Sequence, residues 1–311
     1  MRTLKVLFAV AAFVTLSGQK MRPPEMIEGP RPSVPVQPWG PQGAEGAYYR
    51  QQSWLVPTPE VSKLAHAFLF RPPGGGPFRL AVIAHASTEN ALRRAQMAEP
   101  EYRALAAFLV ARGFAVLVPE RLGHGATGGP YTEGQGDCDR ADYDNSGRMT
   151  AMQIAFAEEA MRRQGFIRKD GVVVIGHSAG GWGALYLAGR KPDSVSTIIV
   201  FAAGRGAHAD DVPGKVCAAG KLITTAEEFG ERARIPVTWL VADNDSYFPP
   251  KLSREMVDAY RHGGGKVNFI VLPPAGSEGH AMAETDDGVS IAGAELDRAL
   301  KVPTQATAKK P

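Results

Sequence analysis

Short apolar runs rich in β-branched residues recur along the chain at 80–84, 115–118, 172–175, 197–201, 237–241 and 267–272, and stretches with helical spacing separate them. That alternation predicts a mostly parallel sheet covered by helices on both faces. Between the first two runs Tyr102, Leu105, Ala106, Leu109 and Val110 recur at helical spacing, and Gly113 then stops the helix. Met149, Met152, Phe156 and Ala160 repeat the pattern before the third run. Both stripes read as faces turned to the core. Ahead of them, 48–56 and 64–70 predict a leading hairpin pair, and no internal repeat is visible.

The ends of the chain carry a different pattern. Arg2 and Lys5 precede an apolar stretch at 6–16 that ends on the small residues Ser17 and Gly18, so residues 1–18 read as a secretory signal too short to span a bilayer. A retained membrane-anchoring start is the alternative. Residues 19–46 hold Pro23, Pro24, Pro30, Pro32, Pro35, Pro38 and Pro41 with few large apolar side chains, a linker or arm that cannot build a core. The tail 303–311 is polar and basic and is expected to fray. One domain is therefore expected over 47–302.

Composition narrows the partners. With 44% hydrophobic and 22% charged residues, the chain is ordinary globular material. A net charge of +3 over 311 residues offers no strong field for nucleic acid or an anionic membrane, and a small-molecule partner is expected. Oligomeric state is not indicated. Export to the periplasm or beyond would place Cys138 and Cys217 in an oxidising compartment, where they are expected to form a disulfide.

The segment 171–185 carries the chemistry. Gly176-His177-Ser178-Ala179-Gly180 has the G-x-S-x-G spacing of a nucleophile elbow. Such a pentapeptide arises by chance in about one chain of this composition in five. Here an apolar strand runs into it and an Ala- and Leu-rich helix leaves it, which puts Ser178 on a tight turn with its hydroxyl exposed above the sheet. Glycine is required on either side because any side chain would strike the adjoining strand or helix. The Ala179 amide at the helix start is a candidate oxyanion donor.

In these residues, and across 47–302, the chain resembles the α/β-hydrolase superfamily, particularly its dienelactone-hydrolase-like and carboxylesterase-like members. The resemblance implies a twisted, mostly parallel sheet of about eight strands without a large cap domain, and a serine hydrolase whose acid and base follow the nucleophile in that order. After the run 237–241, Asp243-Asn-Asp245-Ser-Tyr-Phe-Pro249 resembles the acid turn of the family. Asp245 fits the slot, and Asp243 is the alternative. The loop 273–280 after the last run delivers His280 as the base. His85-Ala86-Ser87 resembles the His-Gly-x oxyanion loop with Ala replacing Gly, and assigns the second donor to the Ser87 amide. Glu120-Arg-Leu-Gly123-His124-Gly125 resembles an acidic-x-x-Gly-x-Gly loop at the pocket mouth. His85, His124 and His177 are possible pocket residues, with turn chemistry the blander role for His124. His66, His208 and His262 read as ordinary strand or loop histidines.

Asp142-Tyr-Asp144-Asn-Ser146-Gly147 resembles the start of a calcium loop, but position 12 is Gln153 and no helix precedes it, so capping by Asn145 or Ser146 is the favoured role. No metal or cofactor is expected. The reading is an exported hydrolase cleaving esters through an acyl-enzyme on Ser178. A peptidase or a lactone or dienelactone hydrolase would use the same residues, and a non-catalytic binding protein on this fold is the rival from another class.

Overall fold

A computed structural model describes residues 38–189 and 194–301. The expected signal peptide, most of the Pro-rich segment and the tail 303–311 lie outside the described residues. Along the chain come β1 (Gly40–Gln42), β2 (Gln52–Pro57), β3 (Leu64–Phe70), β4 (Arg79–Ala84), α1 (Ala91–Ala95), α2 (Arg103–Val110), β5 (Phe114–Pro119) and α3 (Tyr143–Arg162). There follow β6 (Val172–His177), α4 (Ala179–Leu187), β7 (Val195–Phe201), α5 (Ala219–Arg232), β8 (Val237–Ala242), α6 (Pro250–His262), β9 (Val267–Leu272) and α7 (Asp286–Leu300).

The strands form one sheet of nine, in the order β1-β2-β3-β5-β4-β6-β7-β8-β9. The count is one above the expected eight because β1, at the end of the Pro-rich stretch, pairs antiparallel with β2 and adds an edge. β2, β3 and β5 are joined antiparallel, and β5 through β9 run parallel. All parallel βαβ crossovers leave their loops at one edge, so the carboxyl ends of β4 to β9 gather the catalytic candidates in one place.

Alternate residues of each strand supply two cores. Leu80, Val82, Leu117 and Val174 face α3 to α6, packing against Trp182, Leu222 and Met256. Ala81, Ile83, Val116 and Ile175 face α2 and α7, against Leu105, Leu109 and Leu296. Burial on both faces explains why these strands read as unbroken apolar runs.

Two helix readings need correction. Tyr102 is not in α2 but precedes it as its N-cap in the left-handed region (φ 47°, ψ 44°). On α3 the predicted stripe is mostly the wrong face: Phe156 is 40% exposed. The buried face holds Tyr143, Gly147, Thr150, Ala151, Ile154, Ala157 and Met161, together with Ser146 and Gln153. Polar residues occupy this face because buried carboxylate and carbonyl partners satisfy them, which a hydrophobicity pattern does not register. The same helix disposes of the calcium-like reading. Residues from Tyr143 onward are helical, and Asp142, rather than Asn145 or Ser146, caps the end by accepting from the Asn145 amide at 2.9 Å.

Candidate active site

The elbow forms as the sequence requires. Ser178 sits between β6 and α4 at φ 55°, ψ −118°, a strained pair of angles for a residue with a side chain. Its own amide donates to the Phe201 carbonyl at 2.9 Å, which anchors the turn to β7. A Cβ at Gly176 would lie 2.5 Å from the Gly180 carbonyl oxygen, and one at Gly180 would lie 2.1 Å from that of Ala84. The flanking glycines are therefore a packing necessity and not a flexibility device.

Ser178 opens into a cleft of about 730 Å³ at the carboxyl edge of the sheet, with Ser87, Ala179, His177 and His280 on its walls. His280 Nδ1 lies 3.2 Å from Asp245 Oδ2. Asp245 is held in turn by the amides of Tyr247 and Phe248, which donate to Oδ1 at 2.8 and 2.9 Å. Glu278 joins the loops that carry Asp245 and His280: its Oε1 accepts from the amides of Ser246 at 3.1 Å and His280 at 2.9 Å. Asp243, the alternative acid, is exposed and off the cleft wall.

The fixed Nδ1–H···Asp245 bond leaves Nε2 of His280 as the basic nitrogen. Among the described residues Ser178 Oγ makes no hydrogen bond to it, a spacing that commonly tightens only once substrate is bound. Burial lowers the affinity of the His280 ring for a proton, and the hydrogen bond to Asp245 opposes this without cancelling it, so the ring titrates below its ordinary value of 6.5. Asp245 is itself 3% exposed. Burial raises its carboxyl, but the hydrogen bond and charge of His280 and the two amides outweigh that and hold it below the ordinary 3.8. If Nε2 is the base, kcat/KM should climb with pH through an apparent pKa under 6.5, because the neutral ring is the working form. A pH–rate profile measures this, and an acid limb centred above 6.5 would contradict it.

The two amides proposed for the oxyanion stand at the same wall. Among the described residues neither the Ala179 nor the Ser87 amide has a protein acceptor, whereas the Ala86 amide already donates to Tyr102 Oη at 3.0 Å. Ser87 is held by its side chain: Oγ lies 2.7 Å from His124 Nε2, whose Nδ1–H is directed at the carbonyls of Arg121 and Leu122. Burial pushes the His124 ring down to about 4, so it is neutral and its Nε2 accepts from Ser87.

Neither His85 nor His124 lines the cleft, and of the three possible pocket histidines only His177 does. His85 accepts the Arg121 amide at Nε2, 3.0 Å, and is buried. His208, read as an ordinary loop histidine, lies on the cleft wall and stacks on Tyr247 at 3.6 Å, which stacks on His280 at 4.2 Å. Tyr102, Tyr247, Glu278 and Glu284 were not anticipated. Their relevance comes from chain segments far apart in sequence, and no local motif marks them.

Cys138 and Cys217 are joined by a disulfide on the cleft wall, linking the loop after β5 to the segment after β7. Behind it lies an ion network: Glu133 accepts from Arg121 Nε at 2.8 Å, from Thr150 Oγ1 at 2.8 Å and from Arg205, all buried. Arg205 also donates to Glu89 at 3.0 Å, tying the loop after β4 to the segment after β7. Among the described residues no three metal-binding side chains converge, and no helix is long and apolar enough to cross a membrane.

A family model described as Serine aminopeptidase, S33 matches residues 97–226. No curated protein sequence matches. Est1E from Butyrivibrio proteoclasticus, solved with ferulic acid bound, superposes with a TM-score of 0.55 at 15% identity, over 79% of this chain and 98% of that one. An esterase from Pyrococcus furiosus gives 0.55 at 14% identity, over 84% and 97%. A putative dienelactone hydrolase from Klebsiella pneumoniae gives 0.52 at 14%, over 80% and 98%. At these identities the likeness establishes the α/β-hydrolase fold, in agreement with the superfamily that the elbow and its flanking loops resemble.

Proposed function

We propose that this chain, which has the α/β-hydrolase fold and the family match of a hydrolase, cleaves carboxylic esters through an acyl-enzyme on Ser178. Ser178 Oγ attacks the carbonyl carbon while His280 Nε2 takes its proton, and the amides of Ala179 and Ser87 hold the oxyanion. Each such donor is worth about 3 kcal/mol in the transition state. Collapse of the tetrahedral intermediate expels the alcohol, which receives the proton from His280. Water, activated by the same nitrogen, then releases the acid. Asp245 keeps the proton on Nδ1 and offsets the charge of the imidazolium.

One observation carries this reading: an elbow serine, a carboxylate-oriented histidine and two acceptor-free amides face one cleft. The esterase among the solved neighbours supports the ester reading. The match to a serine aminopeptidase model supports the second reading, a peptidase with the same residues, and a lactone hydrolase is chemically equivalent. A small-molecule substrate is proposed, with the enzyme exported; the Cys138–Cys217 disulfide supports an oxidising compartment.

A fluorophosphonate probe should label the wild type and not Ser178→Ala. An unlabelled wild type would remove the serine from the reaction. Wild-type turnover of p-nitrophenyl esters beside aminoacyl and peptidyl anilides then ranks the two readings, and activity confined to the anilides would reverse the ranking.

A further inference from the structure

Tyr102 has a left-handed backbone that a bulky aromatic residue rarely adopts, and no side-chain cap bond to helix α2 accounts for it. Its ring is buried and its hydroxyl points away from the helix, to the carboxyl edge of the sheet. There Oη accepts the Ala86 amide at 3.0 Å and lies 2.8 Å from His177 Nδ1. His177 Nε2 lies 2.7 Å from the carbonyl oxygen of His280, which can only accept, so that nitrogen carries a hydrogen. With the ring neutral, every donor has an acceptor: Ala86 N–H to Tyr102 Oη, Tyr102 O–H to His177 Nδ1, His177 Nε2–H to the His280 carbonyl. Glu284 Oε1 stands 3.1 Å from Nδ1 and 3.4 Å from Oη. With the ring protonated, Nδ1–H turns to Glu284 or Oη and the tyrosine O–H to Glu284. In both states the hydroxyl is bonded on two sides.

Resting on the serine-hydrolase reading above, we propose that Tyr102 is a positioning residue whose hydroxyl, through His177, locks the oxyanion loop, the elbow and the His280 loop into one register. The three loops come from positions 85–90, 176–180 and 273–280, and this chain of bonds joins the first to the last. Ala86 directly precedes the proposed donor Ser87, and His177 directly precedes the nucleophile. A shift at Tyr102 therefore reaches both the amide that holds the oxyanion and the backbone of the base, with no contact to substrate. Loops held only by packing would tolerate small displacements, and oxyanion stabilisation does not. Neutrality suits the role: burial raises the phenol well above its ordinary 10.0.

The test is Tyr102→Phe, which keeps the ring and removes the hydroxyl, with Tyr48→Phe as control because among the described residues the Tyr48 hydroxyl bonds only the Arg103 carbonyl at 3.2 Å. On p-nitrophenyl acetate, Tyr102→Phe should lower kcat about tenfold or more while KM stays within about twofold, as for an arrangement needed in the transition state and not for binding. Amide hydrogen exchange should quicken in peptides covering 85–90 and 276–284 and stay unchanged in the central strands. Tyr48→Phe should behave as wild type. A wild-type kcat for Tyr102→Phe, unchanged exchange in both segments, or an equal fall in Tyr48→Phe would each overturn the proposal. A wild type that the fluorophosphonate probe leaves unlabelled would defeat the serine-hydrolase reading, and the exchange of the two segments would still decide the role of Tyr102.

Discussion

Ser178→Ala is expected to lower kcat for a p-nitrophenyl ester by about a millionfold, the loss found when a triad nucleophile alone is removed, because it acts as a unit with its base. A residual rate of roughly a thousandfold over water should persist, since the Ala179 and Ser87 amides remain in place. Asp245→Asn should cost about ten-thousandfold, because an amide at that site favours the wrong histidine tautomer. Asp243→Asn should change kcat by no more than about twofold, as expected for an exposed side chain off the cleft wall. Steady-state kinetics on the three variants separate the candidates, and a larger fall for Asp243→Asn than for Asp245→Asn would transfer the acid to Asp243. The preference for Asp245 rests on its bond to His280 and on the two amides that orient its carboxylate.

Glu133→Gln should destabilise the fold by about 3–5 kcal/mol, the usual result of removing one partner from a buried ionic cluster. Glu133 lies between Arg121 and Arg205, with all three side chains 2% exposed or less. Burial alone would raise its carboxyl, but the charges of Arg121 and then Arg205 more than offset this and hold it well below 4.5. Without that charge the guanidinium groups stay buried, and Arg121 Nη2 and Arg205 Nε already lack partners among the described residues. The folded value is depressed, so the contribution is complete above about the ordinary carboxylate value and fades as pH falls through the folded one. Urea unfolding of both proteins at neutral pH measures the difference, and a gap under about 1 kcal/mol would show that the cluster contributes little net stability.

Much of the framework was legible along the chain. The parallel strands were readable because burial on both faces makes each an unbroken apolar run, and the elbow because its sterics demand glycine at 176 and 180 within a few residues of one another. Asp245 and His280 are singled out in the sequence only through resemblance, since a lone Asp or His in a loop carries no local signature. The inner face of α3 was misread where Ser146, Thr150 and Gln153 take positions that periodicity assigns to apolar residues. Ser146 is satisfied within the helix by the Tyr143 carbonyl, whereas Thr150 and Gln153 also bond Glu133, which arrives from another segment. Tyr102 was misread for a related reason: its position fits an apolar stripe, and its left-handed backbone and bonded hydroxyl exist only once Ala86 and His177 are beside it.

By itself, then, the sequence determined the layered sheet, the position of Ser178 and the reaction class to test, because periodicity and tight-turn sterics act over a few neighbouring residues. Tertiary structure alone decided which carboxylate meets His280, that His85 and His124 stay behind the cleft wall while His177 and His208 reach it, and how the three loops around Ser178 are bonded together. Hydrogen bonds and ion pairs act over about 3 Å in space, and the partners here lie up to 182 residues apart along the chain.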